Sequence, residues 1–384
     1  MTDHIPDELS VVGKDPRAYT DTLRPLHGIV RNAQGEWVLL RHALVVQAAL
    51  DHERFSNAVS SHLQIPNGLD GDEHTAYRAA LDVFLDGEAL APFHERFRRV
   101  AAELLAALPR GVAVDAVSQL GARYAVRAQS VWLSWPADLE ERLVAWVAEN
   151  HAATRSGDRA RTQRVAQSFD DIIRTVLDHC RATAREHDAD NVTARLMRTE
   201  VNGKPLSEAQ IVSVLRNWTG GDLGSMALCV GVLLHHLATQ PALQSRLRAP
   251  GVPDAEFDAV IDEILRIDDP FVSNRRVTTC PVTIGGVALP EGARVKLNWT
   301  SANRDEAVFG DADAMDAQRN APHNLVYGIG KHVCPGRLLA TLQMRILLRE
   351  LLAATSSIAL DAQQPAERAV SPVGGWAKLP VVLG

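Results

Sequence analysis

The sequence predicts a mainly α fold with small β-sheets, organised as one unit over residues 1–384. Three observations predict it. Apolar residues recur three and four apart through much of residues 88–238, as in Val100, Leu104, Leu105 and Leu108, which is the period of a helix buried along one stripe. Strand signals are few and short. No repeat, low-complexity tract or linker rich in Pro, Gly or Ser divides the chain, so one compact unit is expected although length alone suggests two or three.

The elements follow in order. Residues 28–31 and 36–40, the second reading Glu-Trp-Val-Leu-Leu, have the composition of two short strands. The helical region comes next, and one of its helices is well delimited. Ser207 followed three residues later by Gln210 is a capping box, and no proline interrupts the chain until Pro241. A helix over 208–238, on the order of 45 Å long, is expected. Its apolar residues, among them Ile211, Val214, Leu215, Leu228, Val230, Leu233 and Leu234, place it centrally. Gly220, Gly221 and Gly224 each cost about 1 kcal/mol relative to Ala inside a helix. Close packing by another helix and a widened helix beside a cofactor are equally good explanations for them. Beyond it, 282–289 reads as two strands about a Gly-Gly turn, and 294–298 as a further strand.

Composition excludes several functions. Hydrophobic residues make up 46% and charged residues 23% of the chain, which is ordinary globular usage. A net charge of −7 argues against a general nucleic-acid binder. The first residues show neither a cationic start nor an apolar stretch, and the longest apolar run, 226–234, is too short for a bilayer, so a cytoplasmic protein without a membrane span is expected. Cys180, Cys229, Cys280 and Cys334 lie far apart, with no C-x-x-C pair to suggest a disulfide framework or a zinc site.

Cys334 stands out by its surroundings, Tyr327-Gly-Ile-Gly-Lys-His-Val-Cys-Pro-Gly336, which run straight into an apolar-periodic helix. Gly328 and Gly330 permit a tight loop that brings backbone close to a flat ligand. The following helix start favours a thiolate. A lone cysteine is more often a small buried hydrophobe, but the spacing Gly328-x-Gly330-x-His332-x-Cys334-x-Gly336 resembles the heme-binding loop of cytochrome P450 enzymes, with Tyr327 where that family usually has phenylalanine. The resemblance implies a single-domain cytochrome P450 fold around a buried heme b, with Cys334 as axial ligand of the iron. Thiolate ligation favours O–O cleavage.

Other segments match the family in order. Glu263 and Arg266 resemble its Glu-x-x-Arg pair, which Arg319 is expected to join as a structural brace. His74 and Arg78, four apart on one helix face, resemble its propionate-binding helix, and Arg276 and His332 fall at further propionate positions. Charge-assisted bonds from Arg and His suit two carboxylates. The likeness runs from about Asp70 to the end of the chain. Pocket-lining positions correspond to Phe271, Val272, Ser273, Val373 and Trp376, mostly apolar, which suits a small apolar or aromatic substrate.

The long helix departs from the family. Where an acid and an adjacent threonine normally serve proton delivery, this chain reads Thr219-Gly-Gly-Asp-Leu-Gly-Ser225. Matching the glycines directly places Leu223 and Gly224 at the acid and alcohol positions, whereas counting back from Pro241 places Ser225 at the alcohol and Gly224 at the acid; the second keeps a hydroxyl at the site, with Asp222 one turn before the serine. Asp222 and Ser225 are therefore the expected proton relay; the alternative is a Ser225 bonded back to a helix carbonyl and a solvated Asp222.

The resemblance implies a monomeric monooxygenase that inserts one oxygen atom from O2. Its electrons would come from a separate ferredoxin and NAD(P)H-dependent reductase, the ferredoxin meeting Lys331, Arg337 and Arg78. An H2O2-driven peroxygenase and a non-catalytic heme-thiolate sensor share the same cysteine loop and remain alternatives.

Overall fold

The computed structural model describes residues 15–32, 34–60, 62–183 and 191–384. The amino-terminal segment on which the absence of a leader was read lies outside them. Ten helices of eight residues or more dominate among the described residues: α1 (Pro16–Leu23), α2 (His42–Leu50), α3 (Gly71–Leu81), α4 (His94–Ala107), α5 (Arg123–Leu133), α6 (Glu140–Ser156), α7 (Arg159–Thr183), α8 (Glu208–Thr239), α9 (Asp254–Ile267) and α10 (Arg337–Ala354).

Helix α8 starts as its capping box requires. Ser207 Oγ accepts from the Gln210 N–H at 3.4 Å and Gln210 Oε1 accepts from the Ser207 N–H at 2.8 Å. Pro241 then opens the short helix Pro241–Leu247. Among the described residues α8 is the one helix long and apolar enough to cross a bilayer, yet most of that stretch is buried inside the fold. Its neighbours come very close. A Cβ on Gly121, in the π-helical segment Ala116–Ala122 that leads into α5, would lie 2.7 Å from the Ala227 carbonyl oxygen, and one on Gly231 would lie 2.7 Å from Val117 Cγ2.

The strands form small sheets around this bundle. The largest has the order Ile29–Arg31, Trp37–Leu39, Arg294–Asn298, Ser273–Thr278, Phe55–Ser56. Trp37–Leu39 pairs antiparallel with Ile29–Arg31 and parallel with Arg294–Asn298. The Gly-Gly signal is a hairpin of Val282–Ile284 and Val287–Leu289, closed by Gly285 and Gly286 at φ +55° and +79°, the left-handed pair that a tight hairpin turn needs. Two pieces interrupt the region read as helical. Glu200–Val201 pairs with Lys204–Pro205, and Ala113–Asp115 pairs with Pro380–Leu383, which also binds Ile358–Leu360. These strands are two to four residues long, too short for a period-two pattern to register.

Apolar side chains gather in two main clusters. One fills the space among α4 to α10, and the other lies beneath the large sheet around Val45, Phe55, Val295 and Leu297. The cysteine loop and its cavity draw residues from both sides.

Candidate functional site

Loop geometry follows from its glycines. Gly328 and Gly330 adopt φ of +71° and +76°. Cβ on Gly330 would also lie 2.8 Å from Leu50 Cδ2, so a side chain is excluded there on two counts. The Cys334 N–H donates to the Tyr327 carbonyl at 2.8 Å and closes the loop. Tyr327 packs in the loop with its hydroxyl 3.0 Å from Thr341 Oγ1. Burial pushes the Cys334 thiol up to about 12, the nearby Asp222 adds to this, and the backbone N–H groups of Gly336 and Arg337 pull it down by less. The helix start alone therefore does not make a thiolate, whereas a bound metal ion deprotonates a coordinating thiol outright.

Cys334 opens onto a cavity of about 270 Å³. His74, Arg78, Arg276, His332 and Asn57 line it together with Gly328, Gly336, Gly221, Asp222 and Ser225. His74 Nδ1, His332 Nε2 and Asn57 Nδ2 are buried there without a hydrogen-bond partner, the Asp70 carboxylate standing 3.6 Å from His332 Nε2, beyond bonding distance. The two imidazoles lie 4.1 Å apart between ring centres. Burial first, then neighbouring positive groups, lower His74 to about 4 and His332 to about 3. Arg276 is 5% exposed, its guanidinium lowered to about 10 by burial, and it donates only to the Arg275 carbonyl at 2.7 Å. Buried donors without acceptors are costly, and a cluster of them facing one cavity calls for an anionic occupant. Arg78 is already engaged: Nε donates to Asp82 at 2.8 Å, and Nη1 to the Val333 and Lys331 carbonyls at 3.0 and 3.3 Å, which ties α3 to the cysteine loop.

Glu263 and Arg266 form a fully buried two-bond pair, both contacts 2.9 Å. Arg319 does not join it. Its side chain is exposed on the short helix Ala317–Asn320, and the buried neighbour Asn320 donates to Glu263 Oε1 at 2.7 Å instead. The expected brace is thus an amide one position on, because that helix turns position 320, not 319, toward Glu263.

In α8 the glycines serve both purposes weighed for them. Cβ atoms on Gly220 and Gly224 would meet side chains of α6 or α7, whereas Gly221 has nothing within 4 Å and lines the cavity. Asp222 is half-buried and faces the cavity, not outer solvent; burial raises its carboxyl to about 7, with a lowering contribution from Gln129 Nε2, which donates to it at 3.2 Å. Ser225 Oγ donates back to the Gly221 carbonyl at 2.7 Å. No direct bond joins Asp222 and Ser225, although both line the cavity.

Of the five expected pocket positions, Phe271 alone lines it. Val272 is buried with its carbonyl accepting from the Trp299 N–H, and Ser273 is paired in the large sheet. Val373 packs on the main core, and Trp376 stacks on His235 at 4.1 Å. His235 lies ten residues beyond Ser225, about 15 Å along the helix, which is why Trp376 stands away from the cavity. Met226, Leu265, Val326 and Met344 supply the apolar lining, with Asn67 and Asn217 as polar members that the sequence did not mark.

A profile of the cytochrome P450 family matches residues 257–368, the span holding the Glu263–Arg266 pair and Cys334. Cyclomarin C epoxidase of Salinispora arenicola is 29% identical, with 81% of each chain covered. Linalool 8-monooxygenase of Pseudomonas putida is 25% identical, with 83% of each chain covered. The chain belongs to the cytochrome P450 family. A solved mutant of P450 EryK in complex with erythromycin B has the same fold, with a TM-score of 0.85 at 23% identity, covering 100% of this chain and 98% of that one. The chain is accordingly a P450 monooxygenase, and the prosthetic group of the family is heme b. This cavity fits that group: a sulfur donor on a glycine loop faces it, and the unpartnered His74 and His332 ring nitrogens and the buried Arg276 guanidinium line it where an acidic porphyrin would need them.

Proposed function

We propose that this P450 inserts one oxygen atom from O2 into a compact, mostly apolar or aromatic organic molecule, with Cys334 as the iron ligand. The observation that carries the reading is the cavity in which the Cys334 loop meets the unpartnered ring nitrogens of His74 and His332 and the buried Arg276 guanidinium. Bound heme supplies the oxygen-activating chemistry. Around it, His74, His332 and Arg276 bind the carboxylates, and Arg78 fixes the loop that carries the sulfur. Met226, Leu265 and Phe271 exclude water from the substrate side, while Asn67 and Asn217 offer polar anchors. Relatives named as a linalool 8-monooxygenase and a cyclomarin C epoxidase support an organic substrate. Substrates are found by the Soret shift they induce.

Asp222 and Ser225 relay protons in this reading. A carboxyl raised to about 7 lies in the range that general acid–base work favours. Ser225→Ala and Asp222→Asn each raise the H2O2 formed per NADH consumed while heme stays bound; unchanged yields in both remove the relay. Better turnover with H2O2 than with reductase partners moves the peroxygenase reading to first place.

Electrons come from a separate ferredoxin and its reductase. Lys331 and Arg337 flank the loop, though Lys331 donates to the Gly71 carbonyl and Arg337 pairs with Asp262. Exposed Leu50 and Leu338 adjoin them and add an apolar rim. The deciding experiment is the ferrous CO complex. It should show the red-shifted Soret band of a thiolate ligand, and Cys334→Ser should lose it. Retention of both the band and activity in that variant overturns the ligand assignment.

A further inference from the structure

Gly224 differs from the other glycines of α8 in what occupies the space of its missing side chain. A Cβ there would lie 2.7 Å from His151 Nε2, 3.5 Å from Cδ2 and 3.7 Å from Cε1. The imidazole edge of α6 thus sits in a notch of α8 beside Ser225 and two residues past Asp222. Gly220 meets the rings of Trp146 and Phe169 and the Arg216 stem, all at ordinary contact distance.

The His151 imidazole takes part in none of the side-chain hydrogen bonds among the described residues. Its nitrogens are not sealed away as His74 Nδ1 and His332 Nε2 are. A half-buried imidazole with unspent donor and acceptor capacity, pressed into the backbone next to a proposed relay and still reached by water, is placed as a proton carrier is placed.

We propose that His151 re-supplies the Asp222–Ser225 stretch with protons from solvent through the notch at Gly224. This rests on the relay reading above, and His151 acts through those residues as a positioning residue. It takes a proton from water and passes one on at Nε2, so no oxidant or reductant is consumed. Burial, and then Arg155 four residues on, lower its affinity for protons below the ordinary 6.5. Of the charged groups on the helices packed against it, Asp222 on α8 is held by Gln129 and Asp170 on α7 is bound by Arg216. Neither carboxylate holds His151 in its charged form. The ring is therefore neutral near neutral pH and free to exchange.

The test measures H2O2 formed per NADH consumed by the holoenzyme without organic substrate, where water is the competing product, as a function of pH. It is paired with an NMR titration of His151 in the diamagnetic ferrous CO form. Expected is a His151 pKa below 6.5, and in His151→Phe a rise in H2O2 yield of about threefold or more, a small part of what acid–base groups contribute, with the pH dependence flattened and the CO spectrum retained. Two double variants separate proton supply from packing. Gly224→Asp/His151→Ala returns a titratable group to the notch and lowers the H2O2 yield toward that of the parent. Gly224→Ala/His151→Ala refills the notch by volume alone and stays uncoupled. The proposal is overturned if His151→Phe keeps the parental yield and pH profile, or if Gly224→Ala/His151→Ala restores coupling as well as the aspartate does. If Ser225→Ala and Asp222→Asn uncouple the enzyme and His151→Phe does not, the relay stands and the supply route falls. If His151→Phe alone uncouples it, the relay fails and takes the proposal in this form with it.

Discussion

Glu263 Oε1 accepts from Arg266 and from the Asn320 amide inside the protein, and from the Asp316 N–H at its edge. A buried carboxylate with that many donors holds three segments in register, and each donor matters because no water replaces it. Asn320→Ala is therefore expected to cost about 1–3 kcal/mol of unfolding free energy, and Arg319→Ala to stay within about 0.5 kcal/mol because its side chain is exposed. Urea denaturation of the two variants decides it, and equal losses would contradict the assignment of the brace to Asn320. Glu263 and Arg266 were visible in the sequence because, placed ahead of the cysteine loop, they resemble the family's Glu-x-x-Arg pair; two charges sharing a helix face are by themselves a weak signal. The sequence could not separate positions 319 and 320, since the rotation of a four-residue helix is set by the tertiary contact itself. The burial of Asp222 was hidden for a similar reason. Its hydrogen-bond partner Gln129 lies 93 residues earlier, and no local pattern links the two.

Among elements, the contact between α8 and the π-helical segment before α5 is close at two glycines. At Gly121 the obstruction is backbone, the Ala227 carbonyl oxygen, whereas at Gly231 it is the Val117 side chain. Backbone cannot rotate aside as a side chain can. Gly121→Ala should cost about 1–3 kcal/mol, and Gly231→Ala less, as read from thermal or urea unfolding of the two proteins. A reversed order would mean that the helices separate instead of the side chain turning. The limits of α8 were legible to within a residue because the capping box and Pro241 are local chemistry. Its glycines were legible as a question only, since packing and cavity both call for a missing Cβ and only the partner helices distinguish them.

Across the molecule, distant segments are tied near the end of α8. Arg368 pairs with Asp268 at the end of α9 and with Asp15 at the start of α1. Its guanidinium lies over Trp376, whose ring stacks on His235. Burial lowers His235 to about 4 from an ordinary 6.5. The unfolded chain thus binds a proton that the fold refuses, so stability is intact above about pH 6.5 and declines as pH falls toward about 4. His235→Phe keeps the stack and removes the titration. It should lose on the order of 2 kcal/mol less than the parent on acidification across that window, measured by urea unfolding at a series of pH values. Identical pH dependence in the two would show that His235 is protonated in the fold. The misplacement of Val373 and Trp376 in the pocket belongs to this scale too, because long-range ties, not local periodicity, seat that segment.

One pairing described above bears on how the chain is made. Ala113–Asp115 finds its strand partner in Pro380–Leu383, and the Leu379 N–H donates to an Asp115 carboxylate oxygen 264 residues back. While the ribosome is adding everything between them, that early segment holds an unmatched hydrogen-bonding edge beside the forming bundle. Such an edge invites wrong partners until the right one is synthesised. The segment is only three residues long and begins right after the exposed Val112. Its brevity limits how firmly a stray strand can hold on during the wait.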